Sequence, residues 1–255
     1  PDGVIDCLVA TPPCQDYATV NPDAGGATGP TGRFFADLPR CLTLLKKRHH
    51  VKSVVLEEVV GVLATAEFGR LLECLRQTAH QVCYGEAQFW FAGVASTRAR
   101  VILVAILVAE LKQPGPFGVP GLVAQGDSSE QQRLRQSVPT LRHVLLDPEE
   151  VDPALREPLA DMAAVMPSHI QTAMPAIQVG RMRGAGTNRF VYSVDAPALT
   201  MRANIYKAEG VGGVTGLYLD ALGPRRLAPI EVLRLHGFPP RWVNLPVPTV
   251  YHIVG

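Results

Sequence analysis

The sequence lacks the features that mark membrane and secreted proteins. Its longest apolar run, VILVAILVA from Val101, has the length of a strand, whereas a membrane-spanning helix needs roughly 18 apolar residues. The sequence does not start with the basic, apolar and small-residue segments of a secretory signal. With 47% hydrophobic and 18% charged residues, it predicts a soluble globular protein without a membrane partner.

Cysteine is scarce and unpaired. The 255 residues include five cysteines and no Cys-x-x-Cys pair. An odd number of scattered cysteines indicates neither a disulfide framework nor a zinc site. We therefore expect a reducing, intracellular compartment and no bound metal.

An excess of one charge is also absent, because the formal net charge is +1. The charges are nevertheless unevenly distributed. Residues 110–161 contain five Lys/Arg and nine Asp/Glu, whereas residues 178–241 contain nine Lys/Arg and four Asp/Glu. A basic segment of this kind can bind a phosphate backbone, and a solvated surface explains it about as well.

What the sequence does contain begins with VIDCLVATPPCQDYA. The apolar run from Val4 to Ala10 predicts a strand covered on both faces, as in α/β sheets. Pro12 and Pro13 end that strand, because neither has an N–H to donate. Cys14 is therefore expected on a stiff turn at the strand's carboxyl end, where open α/β sheets bind ligands. In isolation, the pattern fits a small buried structural thiol better than a functional one.

Strand and helix patterns alternate as far as residue 110, which predicts a parallel sheet. Residues 113–202 are rich in Pro, Gly and polar residues and show weak periodicity, which predicts a small irregular domain. The segment RRLAPIEVLRLHGFPPRW predicts a short helix that is closed by glycine and proline. We therefore divide the chain into residues 1–111, 112–222 and 223–255.

Four motifs, in this order and with these intervals, resemble those of the DNA cytosine-5 methyltransferases. PPCQ resembles the family's nucleophile motif, LEEV its Glu-Asn-Val, STRAR its Gln-x-Arg-x-Arg, and RRLAPIEVLRLHGFP its Arg-x-Leu-Thr-x-x-Glu helix with Gly-Phe-Pro. PTLRHVLLDPEEV and APALTMRA resemble segments of the family's target-recognition domain. The resemblance implies an α/β, Rossmann-like methyltransferase sheet with a small irregular target-recognition domain.

The resemblance also implies a covalent mechanism on cytosine. Cys14 would be the thiolate that adds to ring carbon 6, so that carbon 5 becomes nucleophilic. Glu57 would protonate or hydrogen-bond ring nitrogen 3. Arg100, with Arg98 beside it, would lower the pKa of the thiol and hold the exocyclic oxygen. The base would have to be flipped out of the duplex.

The matching positions imply further contacts. Pro13 and Phe34 correspond to residues that contact S-adenosylmethionine, and Arg226 is matched to an arginine that joins the family's two domains. The expected partner is double-stranded DNA, in a nucleus or in a bacterial cytoplasm and nucleoid. The residues expected to contact nucleic acid are Gln15, Arg181, Arg183, Arg189, Arg202 and Arg226.

The sequence departs from the family's motifs at three supporting positions. Glu58 stands where the family has the Asn that helps to orient the nucleophile loop, Ser96 replaces the Gln of the arginine motif, and Thr31 replaces an Arg. The family's opening glycine-rich segment and the next two strands, which hold the cofactor, have no counterpart here. We therefore expect a fragment or one part of a split enzyme, whose cofactor site another segment or chain supplies. The strand at Val4 would then be an unprotected edge.

Two alternatives remain open. The three substitutions favour a catalytically silent binding or assembly subunit, whereas retention of the cysteine, glutamate and both arginines argues against it. A related branch of the family methylates tRNA and tends to have Pro-Pro-Cys, as here. The segment of about 90 residues between Gln113 and Arg202 is ample for a DNA-reading domain and favours DNA.

Overall fold

The computed structural model describes residues 3–18, 23–89, 93–111, 117–118, 139–157, 162–164, 178–182, 189–200, 217–246 and 249–250. The chain forms two compact units. The first unit comprises Pro1–Gln88 and Ala99–Glu130, and the second comprises Phe89–Arg98 and Gln131–Gly255. The boundaries at residues 111 and 222 stay predictions.

Short strands and three helices make up the first unit. They are β1 (Gly3–Ile5), β2 (Leu8–Ala10), α1 (Gly32–Ala36), α2 (Leu38–Lys46), β3 (His49–Val51), β4 (Ser53–Glu58), α3 (Ala66–Gln77), β5 (His80–Gln88) and β6 (Ala99–Leu107).

The main sheet of the first unit contains both parallel and antiparallel strands. The prediction of a parallel sheet is therefore only partly correct. Its strand order is β2-β4-β6-β5, and β1 pairs with β3 in a separate parallel ladder. β2 and β4 are parallel, whereas β6 runs antiparallel to both β4 and β5. The physical reason is the connection between β5 and β6: a parallel neighbour needs a long crossover, usually through a helix, and only residues 89–98 lie between these strands.

One face of this sheet packs against the helices. Alternate residues of β4 and β6 are buried, among them Leu56 and Leu103. They share a core with Leu71 and Leu75 of α3, which lie on the apolar face of this amphipathic helix. At the start of α3 the Thr65 hydroxyl accepts the Phe68 N–H at 3.3 Å, so the helix has a side-chain N-cap.

The first apolar run is less buried than predicted. It splits into β1 and β2 around Asp6 and Cys7, and the side chains of Val4 and Val9 are 59% and 64% exposed. The prediction of a strand covered on both faces is therefore wrong. β2 has one neighbour in the described part of the sheet, so it lies at an edge, as predicted.

The second unit contains a five-stranded sheet of order β11-β10-β9-β8-β7. β9 and β10 are parallel and the other pairs are antiparallel. Three of these strands lie where the sequence predicts irregular structure. They escape detection because each has three to five residues and β8 is bulged near Gly180. The elements are β7 (Met162–Ala164), β8 (Gln178–Met182), β9 (Arg189–Ser193), β10 (Leu217–Asp220), β11 (Gly223–Arg225) and α4 (Pro229–Leu235).

A buried ionic network joins β10, β11 and α4. The Arg225 guanidinium donates to both carboxylate oxygens of Glu231, at 2.7 and 2.8 Å, and to Asp220 at 2.6 Å. Glu231 also accepts the backbone N–H groups of Ala228 and Leu146, at 2.7 and 2.8 Å. The Ala228 bond caps the first turn of α4 where the family's Thr is missing.

None of the helices in the described ranges is both long enough and apolar enough to cross a membrane.

Candidate active site

Cys14 lies where the sequence predicts it, on a turn after β2. β2 ends at Ala10, and the carbonyl oxygen of Cys14 accepts the N–H of Tyr17 at 3.0 Å. Pro12 and Pro13 precede the turn and restrict the backbone on its amino-terminal side. The thiol is half-buried, so this turn holds it close to the end of the sheet.

Asp16 anchors the nucleophile turn to the start of α1. Its carboxylate accepts the backbone N–H and the hydroxyl of Thr31, at 2.8 and 2.6 Å, and the N–H of Gly32 at 2.8 Å. These hydrogen bonds hold the pKa of Asp16 below its usual range. A Cβ at Gly29 would lie 2.2 Å from this carboxylate, so the contact requires glycine there. The sequence analysis missed Asp16, and Thr31 is its partner here.

Glu57 and Arg100 form an ion pair in the first unit. Register places Glu57 opposite Ile102, which makes Arg100 its diagonal neighbour across β4 and β6. The Arg100 Nε lies 2.7 Å from the Glu57 Oε1. The structure thus brings together two of the four predicted catalytic residues, through strand pairing that the motifs alone do not reveal.

Glu58 points to the other face of β4 and is 1% exposed. Its Oε2 accepts the N–H of Val59 at 2.6 Å, while its Oε1 is buried and has no hydrogen-bond partner among the described residues. Burial raises the pKa of Glu58 to about 7, with a further contribution from Glu57 that the Arg100 charge opposes. Glu58 is therefore a buried acid with one unused oxygen.

The electrostatics of Cys14 differ from the expectation. Burial raises the pKa of the thiol, and the negative charge of Glu58 raises it further. Arg100 lowers the pKa as predicted, but this effect is smaller than either of the two. The predicted effect of Arg100 is thus present, but the net shift of the thiol pKa is upward, because burial of the sulfur and the two nearby carboxylates outweigh one cation.

Arg98 belongs to the second unit. Its guanidinium carbon lies 5.6 Å from the centre of the Phe89 ring, and its backbone N–H donates to the Ser96 hydroxyl at 3.3 Å. Ser96 is fully buried and forms an isolated parallel bridge with Ala198. The Ser that replaces the motif's Gln thus serves the backbone of this unit.

The predicted cofactor contacts lie on the surface of the first unit. Pro13 is exposed, and the Phe34 ring is 50% exposed, with the Arg33 guanidinium 5.4 Å from its centre. Gln15, predicted to contact nucleic acid, is also exposed, and its contact stays a prediction. An exposed ring and an exposed turn fit contacts to a bound adenosyl group. Within the described ranges, no cluster of His, Cys, Asp and Glu has the arrangement of a metal site.

The predicted nucleic-acid contacts are only partly described. In the backbone, Arg181 pairs with Phe190 and Arg189 pairs with Met182, on the neighbouring strands β8 and β9. Arg183 and Arg202 lie outside the described residues. These four arginines stay predictions.

The helix motif assigns its arginine to Arg225 and not to Arg226. The motif requires an arginine two residues before Leu and six before Glu, which fits Arg225, Leu227 and Glu231. Arg225 is 1% exposed and pairs with Glu231. Arg226 instead donates to the carbonyl of Ala154 at 3.0 Å, and its contact with nucleic acid stays a prediction. The motif spacing in the sequence already identifies Arg225. The prediction that Arg226 matches the family's arginine is therefore wrong.

A Rossmann-like sheet that carries a cysteine after one strand and a Glu–Arg pair on two others is the arrangement that the resemblance to cytosine-5 methyltransferases predicts. The sequence profile of C-5 cytosine-specific DNA methylases matches residues 1–249. The chain therefore belongs to this family, whose members use S-adenosylmethionine.

Solved structures of methyltransferases share the fold. The Entamoeba histolytica methyltransferase EhMeth is 14% identical, with a TM-score of 0.63 over 98% of this chain and 72% of that one. The S. pombe Dnmt2 methyltransferase is 16% identical, with a TM-score of 0.59 over the same shares. A variant of Spodoptera frugiperda DNMT2 is 16% identical, with a TM-score of 0.57 over 98% of this chain and 74% of that one. None of the curated proteins matches the chain.

Proposed function

We propose that this chain carries the nucleophile and base-binding residues of a DNA cytosine-5 methyltransferase. The observation that supports this proposal most directly is the placement of Cys14. The thiol lies on a proline-stiffened turn and is close enough to the Glu57–Arg100 pair for both charges to influence its pKa. A nucleophile, a carboxyl group and a guanidinium in one region are what addition to a cytosine ring requires.

In the proposed reaction the sulfur of Cys14 forms a bond to ring carbon 6 of a flipped-out cytosine. Glu57 hydrogen-bonds ring nitrogen 3 and stabilises the electron density that moves into the ring. Arg100 keeps Glu57 in place by their 2.7 Å ion pair and offers its remaining N–H groups to the exocyclic oxygen. After carbon 5 has gained the methyl group, a base removes the carbon 5 proton, the carbon–sulfur bond breaks, and its electron pair returns to the sulfur of Cys14. Arg98 is proposed to support the same site.

The methyl donor is proposed to be S-adenosylmethionine, which supplies an electrophilic methyl group when bound. Pro13 and Phe34 are the residues of this chain that would contact it, since both are exposed in the first unit. The remaining contacts are proposed to come from a preceding segment or from a second chain, which would also cover the exposed Val9 edge of β2.

DNA is the proposed substrate, in a nucleus or a bacterial cytoplasm and nucleoid. The excess of Lys/Arg in residues 178–241 supports a polyanionic partner, and Gln15, Arg181, Arg183, Arg189, Arg202 and Arg226 are proposed contacts. The second candidate is tRNA, which the Pro12 of the Pro-Pro-Cys turn favours.

The test is covalent trapping with 5-fluorocytosine, whose fluorine cannot leave as a proton does. The full protein is incubated with S-adenosylmethionine and with duplex DNA or tRNA that carries the analogue. We expect a complex with DNA that survives denaturation and that disappears in Cys14→Ser. A Cys41→Ser variant is the matched control, because Cys41 is an exposed thiol on α2.

Three results would contradict the proposal in different ways. An unchanged yield with Cys14→Ser would remove Cys14 as the nucleophile. Trapping with tRNA alone would change the substrate, and no trapping with either nucleic acid would favour the silent binding subunit.

A further inference from the structure

Glu58 occupies an unusual place for a charged residue. The alternation along β4 puts its side chain on the same face as Val54 and Leu56, which are 3% and 1% exposed. Its neighbour across the ladder is Val101, which is fully buried. The parallel pairing of β2 with β4 puts Ala10 opposite Leu56. Glu58, two residues further along β4, therefore lies at the carboxyl edge of the sheet, where the chain leaves β2 toward Cys14. An ionised carboxylate is costly in this apolar core.

The hydrogen bonds of Glu58 do not compensate for this burial. One oxygen accepts the Val59 N–H, and the other is buried without a partner among the described residues. An ionised carboxylate has about four acceptor sites, so most of its capacity is unused. A neutral acid would lose much less by burial, since it carries no net charge.

The charged groups around Glu58 do not neutralise it either. On its own strand lies Glu57, and the cation that faces the cluster, Arg100 on β6, is already paired with Glu57 at 2.7 Å. On the nucleophile turn lie Cys14 and Tyr17, and the pKa of Tyr17, about 12, keeps its hydroxyl neutral.

The more distant charged groups are also engaged. On α3, Glu67 and Arg70 pair with each other at 2.8 Å. On β5, Glu86 lies beyond Val101 and accepts the Gln88 side-chain amide. On the Cys14 turn, the Asp16 carboxylate is already hydrogen-bonded to Thr31 and Gly32. Cys14 and Glu58 are thus two acids, half-buried and buried, at the carboxyl ends of neighbouring strands. Among the described residues neither is paired with a cation, so ionisation of either one opposes ionisation of the other.

From this arrangement we infer that Glu58 controls the ionisation of Cys14: the two groups share one negative charge, and the thiolate forms only while Glu58 is a neutral acid. This inference deepens the proposed function and rests on it for the role of Cys14 in catalysis. Glu58 acts as a positioning residue, because it works through the sulfur and not on the cytosine.

The proton that Cys14 loses is transferred to Glu58. At mildly alkaline pH the carboxyl group of Glu58 is ionised and Cys14 keeps its S–H bond. To produce the nucleophile, the S–H bond breaks, the electron pair stays on sulfur, and an O–H bond forms at a Glu58 oxygen. The net charge of the pair is unchanged, and no oxidant or further reactant is consumed. An Asn at this position, as in the family's motif, has no ionisable group and would not influence the cysteine in this way.

The test measures the reactivity of Cys14 without cofactor or nucleic acid. The full protein is treated with iodoacetamide from pH 6 to 10, and alkylation of each cysteine is followed by peptide mass spectrometry. Thiolate is the reacting form. We expect Glu58→Gln to move the Cys14 profile to lower pH and to increase its rate at pH 8 by about tenfold, which corresponds to one pKa unit.

Glu86→Gln is the matched control, because Glu86 and Glu58 flank Val101 from its two neighbouring strands. It should leave the Cys14 profile unchanged, and the exposed Cys7 and Cys41 provide reference rates within each sample. Glu58→Asn, which restores the family's residue, should shift the profile in the same direction as Glu58→Gln.

The inference is overturned if neither Glu58 variant moves the Cys14 profile, or if Glu86→Gln moves it equally. If both Glu58 variants fail to fold, the wild type decides: a Cys14 that reacts at pH 8 as fast as Cys41 contradicts the inference. Failure of this test leaves the trapping experiment unaffected, because alkylation does not require methyl transfer. Absence of trapping would equally leave the alkylation result valid, so the two failures are distinguishable.

Discussion

The two units of the molecule each bury a glutamate, and they treat it in opposite ways. Glu231 of the second unit is completely buried and has four hydrogen-bond donors: two from the Arg225 guanidinium and two from backbone N–H groups. Glu58 of the first unit is 1% exposed and has one donor, the N–H of Val59. The same side chain is thus held as a paired anion in one unit and as a poorly paired acid in the other.

This difference shows that burial alone does not distinguish a carboxylate that stays ionised in an ion pair from one whose protonation changes near neutral pH. At Glu231 the guanidinium balances the charge and every oxygen has a partner, so the group fixes β11 against α4. At Glu58 the pKa is raised to about 7, so the proton state changes within the physiological range. The number of donors, and not the depth of burial, separates the two cases.

Arg225→Met should have the largest effect on this comparison. It leaves the Glu231 charge buried with two backbone donors, and loss of one partner from a buried pair costs about 3 to 5 kcal/mol. We expect the free energy of unfolding in urea to fall by that amount. Arg226→Met is the matched control and should cost below about 1 kcal/mol, since it removes one hydrogen bond to Ala154. Equal losses of unfolding free energy in the two variants would show that the buried ion pair stabilises the fold no more than the single hydrogen bond of Arg226 does.

Glu58→Gln should have a smaller effect, and one that depends on pH. The folded-state pKa is raised from 4.5 to about 7, so the folded protein holds this proton more tightly than the unfolded chain. The resulting stability is fully present below pH 4.5 and is lost as the pH rises to 7. The wild type should therefore lose roughly 2 to 3 kcal/mol, relative to Glu58→Gln, between pH 4.5 and 8. Urea unfolding at these two pH values measures the difference, and parallel losses in both proteins would contradict it.

Asp195→Asn should have the smallest effect, although its ion pair is as short as those of the buried network. The Asp195 carboxylate lies 2.6 Å from the Arg142 Nε, and both side chains are 62% exposed. Water replaces the lost partner at the surface, and salt screens the pair. We expect the urea midpoint to stay within experimental error at low and high salt. A loss of stability as large as that of Arg225→Met would contradict the comparison, because it would show that burial does not determine how much an ion pair contributes to stability.

In the first unit the sequence predicted where the candidate residues lie along the chain, but it did not predict their surroundings. The strand, the two prolines and Cys14 follow from local rules, because chain stiffness and hydrogen-bonding capacity belong to each residue. The pairing of Glu57 with Arg100 depends on the antiparallel register of β4 and β6, which joins residues more than 40 positions apart. The anchor at Asp16 likewise depends on the approach of Thr31 and Gly32. No periodicity in the sequence contains that information.

In the second unit the local signals were weaker. The helix α4 was predicted from its apolar spacing and its closing glycine, and the structure confirms it. The strands β7 to β9 were missed, because strands of three to five residues, one of them with a bulge, are too short to show an alternating pattern. The role of Arg225 was assigned to its neighbour, although the motif spacing fits Arg225, and the burial of Arg225 makes the difference between the two arginines evident.

The sequence by itself determined the family, the nucleophile turn and the residue types that cytosine chemistry needs, because motif spacing and proline stiffness are properties of the chain. The tertiary structure alone decided which of those residues share an environment and what charge they carry. It turned Glu58 toward the core and left it one donor, and it gave Glu231 four donors. Proton affinity depends on solvent exclusion and on neighbours brought from distant positions, and these exist only after the chain has folded.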